Sequence, residues 1–147
     1  MSLRDWQSNG WLRAHQTSRK QLCDLFALVD RDLESSASDD IAPDWQFAIA
    51  YNAALRLCTV VLYAEGYRPE KNLAHYRTLQ ALGEALGNEY AADVEYLQKC
   101  RVKRHEAQYD FVGTCSPQEA RELQEYVKEL RTTVETWLKK NHPSLLP

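Results

Sequence analysis

The stretch WQFAIAYNAALRLCTVVLYAEG, residues 45–66, constrains the fold of this chain more than any other. It reads with helical period and is apolar on nearly every face. A helix of that kind is stable only when other elements surround it. Pro43 and Asp44 mark its start, with the Asp44 carboxylate placed to accept from a free amide of the first turn. Gly66 and Pro69 mark its stop. No uninterrupted apolar run approaches the roughly 18 residues of a membrane span, so the stretch reads as the buried axis of a helical bundle. Its one polar stripe, Asn52, Arg56, Thr59 and Tyr63, steps by four, three and four. That stripe is either an exposed edge or the lining of a cleft or subunit interface.

The segments that must cover this axis are also helical. A first helix, or pair of helices, is expected over 4–34, with Leu22, Leu25, Phe26, Val29 and Leu33 on one face. SSASDD, residues 35–40, reads as a polar loop with no means of packing. NLAHYRTLQALGEALG, residues 72–87, places Leu73, Tyr76, Leu79, Leu82 and Leu86 on one side, with His75 beside Tyr76. A histidine there is either a hydrogen-bonded structural residue or part of a site. A fourth helix is expected over 89–111. Ser116, Pro117 and Glu119 then form a capping box with proline at the first helical position. The last helix carries Ala120, Leu123, Val127, Leu130, Val134 and Leu138 on one face, with Glu135 and Lys139 spaced to pair. Alternating β-branched runs with hairpin turns are absent. The expectation is an all-α, up-down bundle of about five helices in a single domain over 1–147, with an N-terminal helical segment at 4–34 and a core at 44–138.

At 147 residues, 44% hydrophobic and 27% charged, the chain can bury roughly 70% of its unfolded surface without a disulfide or metal. Its net charge of −3 argues against general coating of nucleic acid and leaves room for a local basic patch. Cys23, Cys58, Cys100 and Cys115 form no C-x-x-C pair and read as free, buried thiols in a reducing cytosol. MSLRDWQSNG has no apolar leader region, so the expected location is cytoplasmic. Glycine-rich phosphate loops, G-x-S-x-G and H-E-x-x-H do not occur. A helix-turn-helix placed at the third and fourth helices would present the acidic Glu89, Asp93 and Glu95 to DNA.

The fourth helix changes character half-way. Tyr90, Val94 and Leu97 step as a core stripe, and the same steps continue to Arg101, Arg104, Gln108 and Phe111. At ~100° per residue, Arg101, Arg104, His105, Gln108 and Tyr109 share an arc of about 140°. An unpaired buried guanidinium costs several kcal/mol, so these arginines must meet solvent, a carboxylate or an anionic ligand. In the competing register Tyr96, Cys100 and Ala107 face the core, and Lys99, Lys103 and Arg104 lie in water.

In the order DWQFAIAYNAALRLCTVVLYAEGYR, NLAHYRTL, CRVKRHEAQYDF and a long last helix, the chain resembles the HEPN domain family (higher eukaryotes and prokaryotes nucleotide-binding) over about 44–138. The resemblance implies an all-α homodimer with a site in the dimer cleft and no cofactor. Catalytic members of that family carry an arginine, a polar residue and a later histidine, and cleave RNA without metal. Arg104 and His105 match the start of that motif, and Tyr109 stands in the place of its terminal histidine. The other phase, Arg101 to His105, leaves only three intervening residues. Tyrosine, with an ordinary pKa near 10, is a poor base at neutral pH. What the resemblance then implies is nucleotide or RNA binding by Arg101, Arg104, His105 and Tyr109, with Asn52 and His75 behind them. One alternative is a metal-independent RNase toxin using Arg104, His105 and Tyr109, with His105 as base. Another is a non-enzymatic adaptor dimer whose arginines pair with carboxylates such as Asp44 or Asp110. The family also implies a toxin–antitoxin or stress-defence setting, with a nucleotidyltransferase as partner.

Overall fold

The computed structural model describes residues 2–110 and 112–146. Six α-helices follow one another among them: α1 (Leu3–Ser8), α2 (Arg19–Ser36), α3 (Pro43–Ala64), α4 (Ala74–Leu86), α5 (Ala91–Tyr109) and α6 (Pro117–Asn141). Two short strands, β1 (Leu12–Ala14) and β2 (Tyr67–Pro69), pair antiparallel with Leu12 opposite Pro69. The all-α class holds, with one helix more than expected and a small ribbon added.

Helix α3 packs against α2, α4, α5 and α6. That is why Phe47, Tyr51, Leu57, Val61 and Leu62, pointing in different directions, are all buried. By length and composition α3 could cross a membrane, contrary to the expectation from its sequence, yet 67% of that stretch is buried within the bundle. The α6 face lies entirely in the core, from Ala120 to Leu138. Its capping box forms as expected, with Ser116 Oγ accepting from Glu119 N at 3.0 Å and Glu119 Oε1 accepting from Ser116 N at 3.0 Å. Glu135 takes Arg131 as its partner at 2.9 Å, where Lys139 was expected.

Three further expectations are corrected. The segment 4–34 forms the pair of helices rather than one, with an unexpected strand between them, because Gly10 turns the chain with a φ of +79° and Ser18 caps a fresh helix by accepting from Gln21 N. The intervening β1 carries Leu12 into a second small cluster with Trp6, Leu62 and Ala81, on the outer side of α3 and α4. The polar run 35–40 does pack: Ser36 is fully buried, donates to Gln46 O at 2.6 Å and accepts from Gln124 Nε2 at 3.0 Å. Asp44 does not cap α3. Its two carboxylate oxygens accept from Gly113 N at 2.8 Å and Cys115 N at 2.9 Å, fastening the α5–α6 connection to the start of α3. All four cysteines are free, and Cys58, Cys100 and Cys115 are buried as expected, but Cys23 is exposed.

Candidate anion site at the junction of helices 3, 4 and 5

Helices α4 and α5 are antiparallel neighbours. Gly83 lies close enough to Val94 that an added Cβ would come within 3.2 Å of it, and Gln98 Nε2 donates to Tyr76 O at 2.9 Å. Val94, Leu97 and Cys100 bury the first half of α5. Beyond them the two registers weighed for this helix both hold in part. Cys100 faces the core and Lys99 faces water, but Arg101, Arg104 and Gln108 are half-buried. Phe111, the residue at which the apolar stripe was expected to resume, lies outside the described residues.

The basic side chains of α5 divide by partner. Lys99 pairs with Glu95 at 3.3 Å, and Lys103 pairs with Glu119 of the α6 capping box. Arg101 and Arg104 make no ion pair among the described residues. Each is braced on an aromatic ring instead. The Arg104 guanidinium lies 5.6 Å from the centre of the Tyr51 ring on α3, and that of Arg101 lies 5.7 Å from Tyr76 on α4. Arg101 Nε also donates to Gln98 Oε1 at 2.8 Å, which fixes its plane. Asp44, one of the carboxylates considered as a partner, is occupied by the two amides of the α5–α6 connection.

Tyr51 is completely buried. Burial pushes its phenol pKa well up, against the opposing pull of Arg104 and Arg101, so the hydroxyl is a proton donor at any physiological pH. Yet Tyr51 Oη, Arg104 Nε and Gln108 Oε1 are all buried with no hydrogen-bond partner from the chain. A buried polar group left unmatched costs about 1–3 kcal/mol. The three lie on α3 and one stripe of α5, and each keeps a hydrogen-bonding capacity that the described residues do not fill. Two can donate and one can accept. Anion oxygens are natural acceptors for the first two.

The other candidate residues are placed as follows. His75 opens α4 beside Tyr76. It keeps much of its surface in solvent, yet burial of its ring first, and then the charges of Arg104 and Arg101, lower its pKa. It therefore faces the arginines, although Tyr76 is exposed where a core position was expected. His105 and Tyr109 stack on each other at 4.9 Å on the outer flank of α5, with Tyr109 70% exposed. They share the arc with Arg104 but stand at its rim. Asn52 belongs to the stripe that Arg56 ties to α2 through Asp32 at 3.0 Å, so that stripe is neither wholly exposed nor turned to α5. Residue spacing did not single out Tyr51 or Tyr76. The available signal for Tyr51 was a hydroxyl at the centre of the most apolar helix, since a buried tyrosine ordinarily has a polar partner.

Compared with known proteins, the chain matches no family model, no curated protein sequence and no solved structure.

Proposed function

We propose that this chain is a HEPN-like, cytoplasmic nucleotide- or RNA-binding protein whose phosphate site is centred on Arg104 and Arg101. The observation that carries this reading is the buried, unmatched Arg104 Nε beside the unmatched Tyr51 hydroxyl. A guanidinium with a planar fork and no carboxylate suits phosphate oxygens, and a neutral phenol adds a donor that titration does not remove. Gln108 would accept from a ribose hydroxyl or base amino group. His105 and Tyr109 at the rim would contact the rest of the nucleotide. Pairing as a homodimer is part of the proposal. Trp45 and Tyr109, 56% and 70% exposed, and the fully exposed Val112 offer apolar surface for a second copy. A nucleotidyltransferase partner in a toxin–antitoxin setting would follow from the same kinship.

The test is isothermal titration with a ribonucleotide and a short oligouridylate. Arg104→Gln should remove binding of both while leaving the thermal midpoint within a few degrees. Undiminished binding would sink the site assignment.

A second reading, metal-independent RNA cleavage, has one observation in its favour. The lowered pKa of His75 keeps an imidazole neutral near the arginines, the form required of a base that takes the proton of a ribose 2′-hydroxyl. His105 is the other candidate base, and Arg104 would hold the phosphate as charge builds. Total RNA incubated with the protein and EDTA should then be cut, and His75→Ala or His105→Ala should stop the cutting. Intact RNA at all protein concentrations would reject this reading.

A further inference from the structure

Beyond the site itself, the structure carries a third arginine of the same kind. Arg77, one residue after Tyr76, lies with its guanidinium 4.4 Å from the centre of the Trp11 ring. It makes no ion pair among the described residues. The comparison within the molecule is informative. Arg131 is also braced on a ring, 5.1 Å from Phe26, but it is neutralised by Asp30 at 2.7 Å and Glu135 at 2.9 Å. Arg13, Arg31 and Arg56 are likewise paired with carboxylates. Among the described residues, the ring-braced arginines without a carboxylate are Arg77, Arg101 and Arg104, and Tyr76 lies between the first two.

Two concave surfaces flank Tyr76, and Arg77 lines the second of them. A groove of about 440 Å³ runs between α4 and α5, and another of about 370 Å³ lies between α4 and the Trp6–Trp11 segment. Tyr76, Gln80 and Glu84 line both, so the two lie on either side of one ridge of α4. Tyr76 is 39% exposed on that ridge, leaving ring surface open to a base. Trp11 is held in place edge-to-face by Trp6 at 6.3 Å. Glu84, about two turns along α4 from Arg77, lines both grooves and Glu95 lines the first, so the favourable region for an anion is the Tyr76 end.

We infer that these arginines and rings form a track for single-stranded RNA, extending from the Arg104 site across Tyr76 to Arg77 and Trp11, so that the preferred ligand is an oligonucleotide rather than a mononucleotide. The inference rests on the phosphate-binding reading of Arg101 and Arg104 and adds the length and class of ligand. The chemistry is that of single-strand binding in general: cations that follow the backbone, interleaved with rings on which bases stack without sequence preference. A guanidinium held over an aromatic ring still has N–H groups to offer phosphate and loses little further freedom on binding.

The test is fluorescence anisotropy of 5′-labelled oligouridylates of two and eight nucleotides, from 50 to 200 mM salt. The wild type should bind the octamer about tenfold or more tighter than the dimer. Arg77→Gln should bring the octamer down to the dimer's affinity and leave the dimer unchanged. It should also lower the slope of log K against log salt by about 0.7, the loss of one single-strand phosphate contact. Tyr76→Leu should cut octamer affinity with no change in that slope. Arg104→Gln should weaken both lengths. A wild-type affinity independent of length, or an unchanged slope in Arg77→Gln, overturns the track and leaves the Arg104 site standing. Failure of the wild type to bind either oligomer overturns both. Equal competition by polyglutamate overturns RNA as the occupant.

Discussion

Replacing Tyr51 with phenylalanine tests the buried site with two readouts of opposite sign. The ring stays, so its packing in the core and its contact with the Arg104 guanidinium, 5.6 Å from the ring centre, are kept. Only the hydroxyl is lost, and in the free protein that hydroxyl is buried without a partner. An unmatched buried hydroxyl costs about 1–3 kcal/mol, and the space it leaves returns part of that. The variant should therefore be about 1 kcal/mol more stable than the wild type, a rise of roughly 2–4 °C in thermal midpoint for a chain of this size. Binding should move the other way. Losing a hydrogen bond to a charged acceptor is worth about 1.5–3 kcal/mol, which is roughly a 10- to 100-fold weaker Kd for a phosphate ligand. Calorimetric unfolding and titration calorimetry on the same preparation give both numbers. A lower midpoint in Tyr51→Phe would show that the hydroxyl is matched in the free protein. Unchanged affinity would show that no ligand reaches it. Either result refutes the reasoning that joins burial to binding.

Ser36→Ala removes a buried hydroxyl that bonds both Gln46 O and Gln124 Nε2, so urea unfolding should show a loss of about 1–3 kcal/mol with the slope unchanged. Leu73 enters α4 with a φ of +56° and is 53% exposed, so Leu73→Gly should relieve backbone strain and cost little burial. Its stability should be equal to or up to about 1 kcal/mol above the wild type's, and a clear loss by thermal unfolding would contradict this. His75 titrates below its ordinary value of 6.5 in the free protein, through burial and the facing charges of Arg104 and Arg101. A bound phosphodiester offsets those charges and raises that pKa, so binding takes up a proton. Affinity for an oligouridylate should rise as pH falls through the window just below 6.5, and His75→Gln should flatten the profile.

Helix α6 was legible almost completely. Its cap is local chemistry, with serine, proline and glutamate at fixed offsets, and its apolar spacing leaves a single face to bury. The buried axis α3 was legible because an all-round apolar helix can be satisfied only by enclosure. The N-terminal segment was not, since a helical pattern across 4–34 does not reveal that Leu12 and Trp6 have a cluster of their own beside Leu62. Nor does composition reveal that Ser36 finds partners on two other helices, one of them 88 residues away. The arginine arc of α5 was visible as a break in a stripe, but its facing was left between two registers.

What the sequence by itself determined is the helical class, the central helix, the start of α6 and the presence of a basic arc on α5. These follow from periodicity, capping and the cost of burying charge, all of which act over a few residues. Only the tertiary structure decided which charges are neutralised. Lys103 reaches Glu119 and Arg56 reaches Asp32, whereas Arg101, Arg104 and Arg77 come to rest on Tyr76, Tyr51 and Trp11. An ion pair is set by where two helices cross, and no spacing along one chain encodes that crossing.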